Sequence, residues 1–558
     1  MNIFLNFYFS TAKESAMNFR IPSTRPLLGL AALCAPLALL PACGDDSGGL
    51  SDESADSAGQ GTGVTGGEGG DSGGDGLGVG QGGSQDFGQF KQILEAGDIP
   101  GPNTIDDVGF FNEHKVELPA PKCANDVCLH GLFGQMGNMI TGSDCITVLV
   151  GMNTAIDVDK LERPPLNLSL VIDTSGSMEG EPIAYVRDGL MRMLDGLESG
   201  DHISLITFST GAKVRVEAVT GDAPELINAI DAISANGGTN IYDGLRTGFE
   251  LVAEHAQDYA QNRVIFLSDG NATEGITNDA KIISMAAGYA AQGFGLTTIG
   301  VGTDFDVELM RTLSEQASGS FYFLEDPAAV KEVFHEEVTS FLVPLAEDVS
   351  LDVDIGDAYV LRGIYGTKLY DFTLGSGSIE IPNLQLAHRT AVDDHEDGGR
   401  RGGGGAILLE LLRKQNSAPT QAVGDMTFSY RVPHTDSYVD EKVAIKIPVA
   451  PDQVDLENGT FEDMSVEKSF VMLNIFVGFQ MAATRASQGD VTGAYNVLDS
   501  LDANVDGWLA TNPDFDIEDD LKYIRMFKTN LIAVGATEPP PTQPGEVPQT
   551  PPEPWPND

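Results

Sequence analysis

The chain has 558 residues, 41% of them hydrophobic, and carries 83 acidic against 32 basic side chains, a formal net charge of −51. That length exceeds what one ordinary core holds, so two or three folded units joined by linkers are expected. The negative field sets aside nucleic acid and anionic lipid headgroups as partners of the folded surface.

The first element in chain order is an export signal. Met17 begins a better signal than Met1: Arg20 and Arg25 precede a mostly apolar run from Pro26 to Ala42. That run is too short and too interrupted to span a bilayer comfortably. It ends Leu40-Pro41-Ala42-Cys43-Gly44, which resembles a bacterial lipobox. The resemblance implies that residues 1–43 form a signal peptide with lipidation at Cys43, so the chain is exported and lipid-anchored to the cell envelope, periplasmic or surface-facing. An Asp after the cysteine retains such proteins in the inner membrane of some bacteria. Gly44 at that position favours the outer membrane. The other reading is an ordinary cleaved signal with an incidental cysteine.

Residues 44–88 hold 18 glycines with Ser, Asp and Glu, and no Lys or Arg. Such a stretch cannot bury enough apolar surface to offset its ordering entropy, so a disordered tether is expected. Its GLGVGQGG run has glycines at dinucleotide-like spacing, but no predicted strand precedes it and no helix follows. Export places Cys123, Cys128 and Cys145 in an oxidising compartment, where three thiols cannot all pair internally. One disulfide with a leftover thiol, or zinc held by the CxxxxC pair with His130, both stay open, although no second ligand pair follows.

From about 105 the composition becomes globular, and 105–164 reads as a β-rich flank, with strands in CITVLVGMNTAIDV (145–158) before Pro164-Pro165. Strand and helix then alternate. LNLSLVID (166–173) is a nearly continuous apolar strand, and Ile183, Val186, Leu190, Leu194 and Leu197 follow at helical spacing. Strands are predicted at 202–208, 263–267, 295–301 and 320–323, with helices around 223–233, 241–257, 279–292, 307–317 and 327–340. This pattern over 165–342 predicts a doubly wound, Rossmann-like α/β domain, whose ligands gather at the carboxyl ends of the strands. Short β runs return at 343–463: VSLDVDI, AYVLRGIYG, AILLELL, MTFSYRV and VAIKIPV, interrupted by the glycine-rich loop 391–405. A β-sandwich built jointly with the N-terminal flank is expected, because each flank alone offers few strands. A helical segment over 464–536 includes Phe470–Met481, which reads as a buried helix, and a Pro-rich disordered tail occupies 537–558.

The chemistry lies at the ends of the α/β strands. Asp173-Thr174-Ser175-Gly176-Ser177 closes the first strand with one carboxylate and two hydroxyls. These hard oxygens suit Mg²⁺, Mn²⁺ or Ca²⁺. Thr239 precedes a helix in GGTNIYDGL, and Asp269 ends a strand in LSDG. This DxSxS…T…D set resembles the metal-ion-dependent adhesion site of the von Willebrand factor type A family. The resemblance covers about 165–342. It implies one divalent ion lined by Asp173, Ser175 and Ser177, with Thr239 and Asp269 completing the shell directly or through water. In integrin-type domains extra carboxylates support an adjacent ion, but Met178-Glu179-Gly180-Glu181 follows here, and that second site is not carried over.

The resemblance also implies a partner: a protein ligand donating an Asp or Glu carboxylate to the metal, as in adhesion. The alternatives are a non-catalytic subunit or scaffold of an envelope assembly with a structural metal, or an enzyme subunit like those of metal-chelatase assemblies. No nucleophile–base pair, HExxH, GxSxG or phosphate loop is present, which argues against catalysis. Asp502–Gly507 copies half of an EF-hand loop, but the twelfth position is Pro513 and lacks the bidentate acid, so a helix–helix connection is expected.

Overall fold

The computed structural model describes residues 77–80, 84–85, 87–156, 164–257, 260–301, 305–317, 319–324, 333, 344–387, 406–414, 420–433 and 435–537. The expected signal and Cys43, residues 44–76 of the tether, the loop 391–405, the tail beyond Thr537 and all but Val333 of the helix expected at 327–340 lie outside them.

The N-terminal flank comprises β1 (Leu77–Gly80), β2 (Ser84–Gln85), α1 (Phe87–Glu95), α2 (Asp107–Asn112), β3 (Cys128–Gly137) and β4 (Asp144–Thr154). The α/β domain follows with β5 (Leu166–Asp173), α3 (Glu181–Met193), β6 (His202–Phe208), β7 (Ala212–Val219), α4 (Pro224–Asp231) and α5 (Ile241–Glu254). It continues through β8 (Gln261–Ser268), α6 (Asp279–Ala290), β9 (Gly295–Val301), α7 (Val307–Gln316) and β10 (Phe321–Leu324). Next come β11 (Pro344–Ile355), β12 (Tyr359–Tyr365), β13 (Tyr370–Phe372), β14 (Ser376–Ala387), β15 (Ile407–Arg413), β16 (Ala422–Arg431), β17 (Tyr438–Lys446) and β18 (Thr460–Phe461). The helices α8 (Met464–Ser487), α9 (Val491–Leu509) and α10 (Phe515–Ala533) close the described chain.

The α/β sheet has the order β2-β10-β9-β8-β5-β6-β7, parallel except for the β6–β7 edge. Every residue of β5 is buried because the strand is covered on both faces. Leu168, Leu170 and Ile172 join the core beneath α3 and α4, while Val171 points to the opposite core with Leu245 and Phe249 of α5. Central position therefore explains the nearly continuous apolar run. The edge strand β7 was not expected from the sequence: AKVRVEAV is mostly exposed, and its charged residues hide a strand that buries Val216.

The flanking strands before and after the α/β domain meet as expected. β4 pairs directly with β15, from Ile146↔Leu411 to Val150↔Ile407, so the α/β domain is an insertion between them. Hydrogen bonding joins these strands into one eleven-stranded sheet rather than two separate layers. Phe133, Val148 and Leu409 nevertheless share a core with Leu351, Ile381 and Phe428 from the other end of that sheet.

The tether expectation needs a correction at its end. Residues 77–80 and 84–85 are strands, and α1 begins at Phe87. β1 is paired on both sides, with β14 (Gly78↔Ala387, Val79↔Leu386, Gly80↔Gln385) and with β4 (Leu77↔Thr154, Gly78↔Asn153). Backbone pairing on two edges orders a glycine-rich segment that has little side-chain surface to bury. β2 then adds a parallel rung to β10 of the α/β sheet.

The C-terminal helices start at aspartate caps: Asp463, Asp490 and Asp514 accept from the N–H of Ser465, Gly493 and Ile517. Phe476 and Phe479 of α8 pack with Phe87, Phe90, Phe110 and Phe111, so α1 and α2 complete this core. The EF-hand-like run is no connection but the interior of α9. Asp502 and Asp506 bind Arg525, and Asp502 also binds Lys528, which commits them to interhelical ion pairs. Among the described residues no helix is long and apolar enough to cross a membrane.

Candidate metal site

β5 and β8 are adjacent and parallel with Ile172 opposite Leu267. The residues that follow, Asp173 on one strand and Ser268-Asp269 on the other, therefore leave the sheet side by side at its carboxyl end. Asp173 Oδ1 accepts the N–H of Ser175 at 2.8 Å, which turns the chain sharply after the strand. Thr174 is pinned to Phe208 O through its N–H (2.8 Å) and hydroxyl (2.9 Å). A second loop is clamped onto this one, since Asn236 N–H donates to Thr174 O at 2.7 Å and Gly176 N–H to Gly237 O at 3.0 Å. Gly237 sits at φ +86°, which glycine adopts without strain. That loop delivers Thr239, whose backbone is held by Thr273 and Glu274 of the loop after β8.

The five residues singled out in the sequence come together. Ser177 Oγ donates to Asp269 Oδ1 at 2.7 Å, Ser175 Oγ reaches the same atom at 3.5 Å, and the two hydroxyls are 3.0 Å apart. A Cβ placed on Gly270 would lie 3.7 Å from both Ser177 Oγ and Thr239 Oγ1, so these hydroxyls flank one point beside Asp269. Asp173, Ser175, Thr239 and Asp269 are buried, while Ser177 is exposed and opens the cluster to solvent. Burial pushes the Asp173 carboxyl up to about 6; hydrogen bonds from Ser268 and Ser175 oppose this, and the nearby Asp269 charge adds to it. Two buried carboxylates and three hydroxyls make an all-oxygen set whose internal repulsion a small divalent cation relieves, so the residues present fit Mg²⁺ or Mn²⁺.

Ser268 was missed by sequence reasoning. It stands in the quoted LSDG run, but only the β5–β8 register shows that its hydroxyl meets Asp173, at 2.5 Å. The other candidate metal site dissolves. Cys123 and Cys128 form a disulfide with a Cα–Cα distance of 5.6 Å, so they offer no thiolate pair for zinc. His130 Nε2 is engaged with Asn153 Oδ1 at 2.8 Å.

Residues 167–336 match the family model of the von Willebrand factor type A domain, so the chain contains that domain. Among curated relatives, "Uncharacterized protein sll0103" of Synechocystis sp. is 26% identical over 348 residues, 61% of this chain and 78% of the relative. "Uncharacterized protein YfbK" of Escherichia coli is 27% identical over 202 residues, 36% of this chain and 35% of the relative. Inter-alpha-trypsin inhibitor heavy chain H3 of Rattus norvegicus is 28% identical over 200 residues, 34% of this chain and 22% of the relative. The chain thus spans most of the first relative but only about a third and a fifth of the other two. Of solved structures, "von Willebrand factor type A from Catenulispora acidiphila" covers 74% of this chain and 98% of its own, at 13% identity and a TM-score of 0.46.

Proposed function

We propose that the α/β domain binds one Mg²⁺ or Mn²⁺ ion through Asp173, Ser175, Ser177, Thr239 and Asp269, and uses it to capture a protein partner by an Asp or Glu carboxylate. The observation that carries this reading is the convergence of three hydroxyls and two carboxylates at the open end of the sheet, with Ser177 exposed. Two carboxylates only just balance a divalent ion and the remaining hydroxyl donors are neutral, so the ion stays electrophilic and accepts a further anionic donor from outside. In this reading the chain is exported, anchored in the envelope by a lipid on Cys43, and acts as a binding module rather than an enzyme.

Calorimetric titration of the purified chain with Mg²⁺ and Mn²⁺ tests the site. The wild type is expected to bind one ion and Asp173→Ala none, because the substitution removes a full charge from the set. Ser175→Ala or Thr239→Ala is expected to weaken binding less, since water replaces a neutral donor in part. Pull-down from envelope extract with and without chelator tests the use of the ion: a partner retained only with metal supports capture, and chelator-insensitive retention points to a bracing role. Absence of binding by the wild type at millimolar metal overturns the proposal.

A further inference from the structure

Asp173 is gripped at both carboxylate oxygens. Oδ1 takes the Ser175 N–H at 2.8 Å, and Oδ2 takes the Ser268 hydroxyl at 2.5 Å, with Asp173 and Ser268 both fully buried. A hydroxyl has one proton to donate. The competing acceptor, Gly270 O, is 3.5 Å from Ser268 Oγ, so that proton goes to the carboxylate. The Gly270 N–H in turn approaches the same hydroxyl oxygen at 3.4 Å, which leaves the hydroxyl free to donate toward Asp173. A buried carboxylate held at one oxygen only is free to turn about its Cβ–Cγ bond, whereas a donor at each oxygen fixes its plane.

We propose that Ser268 is a positioning residue of the metal site, acting through Asp173 by holding its carboxylate in the one orientation that serves the cation; this rests on the metal reading above. The Ser175 N–H cannot substitute, because it bonds the opposite carboxylate oxygen. Ser268 sits at the end of β8, a central strand paired on both sides, and is a rigid post rather than a loop residue.

Mn²⁺ titration of the full purified chain, with thermal melts of the metal-free proteins, tests this. Ser268→Ala is expected to weaken Mn²⁺ binding by about tenfold or more, the scale of a hydrogen bond to a charged group. Ser268→Thr, which keeps the hydroxyl, restores most of the affinity. Ser169→Ala, which removes another buried hydroxyl from the same sheet, leaves it unchanged. Should Ser268→Ala unfold the domain, Ser268→Cys, of similar volume but a weak donor, carries the same expectation. Wild-type affinity in the folded Ala or Cys variant, or a folded Thr variant as weak as Ala, overturns the inference alone. A wild type that binds no Mn²⁺ overturns the metal reading and the inference with it.

Discussion

Helix α5 links the core of the α/β domain to its site, and two of its glycines allow a sharp test of that packing. Gly244 and Gly248 are one turn apart and face the sheet. A Cβ on Gly248 would sit 2.4 Å from Val171 Cγ2 and 3.4 Å from Val264 Cγ1, and one on Gly244 would sit 2.8 Å from the Phe208 ring. Val171 is fully buried on β5 between β6 and β8, so it has nowhere to move. Gly248→Ala gains about 1 kcal/mol of helix propensity, whereas forcing a methyl into a packed core costs roughly 1–3 kcal/mol. With a rigid neighbour the cost falls at the upper end, giving a net loss of about 1–2 kcal/mol. Gly288 on α6 has nothing within 4 Å of its Cβ position, so Gly288→Ala keeps only the propensity gain, about 0.5–1 kcal/mol. Calorimetric melting of the two variants is the assay, each kcal/mol moving the midpoint of a domain this size by about 2–4 °C. Shifts of opposite sign are expected. A Gly248→Ala protein that melts at or above the wild type refutes the close approach of α5 to β5.

Three further outcomes are expected. Cys43→Ser abolishes fatty-acid labelling and moves the protein from membrane to soluble fractions; unchanged labelling rejects the lipid anchor. Asp173→Ala removes ion binding yet lowers the metal-free melting temperature little, because relieving the burial of a carboxylate, and with it the nearby Asp269 charge, offsets the loss of its Ser268 and Ser175 hydrogen bonds; a melt that collapses shows that the loop rather than the ion depends on this residue. Burial and the nearby Asp106 push the Glu315 carboxyl up from 4.5 to about 7. Between those values the folded state holds the proton more tightly than the unfolded one, so this contribution to stability is full at low pH and is lost as pH rises toward 7. Glu315→Gln is therefore expected to raise the melting temperature at pH 7.5 relative to the wild type and to change it little at pH 4.5; equal shifts at both rule out Glu315 as the cause.

Much of the domain was legible in the residues themselves because its signals are local. A strand covered on both faces must be largely apolar, and LNLSLVID is; a helix covering it must repeat every three to four residues, as Ile183, Val186 and Leu190 do. The candidate ligands Asp173, Ser175 and Ser177 were readable because one short loop carries all three, and Thr239 and Asp269 because each marks the boundary of a predictable element. What escaped depends on partners distant in sequence. Leu77–Gly80 looks like tether by composition and becomes a strand only because β4 and β14 offer open edges on either side. Asp502–Gly507 looks like half of a cation loop and becomes helix because Arg525 and Lys528 on the neighbouring helix neutralise its acids. Ser268 joins the site through the alignment of two parallel strands whose meeting residues are 95 positions apart. Period and composition are properties of short windows of chain, whereas strand pairing and charge pairing across helices are properties of space, and only the tertiary structure decides them.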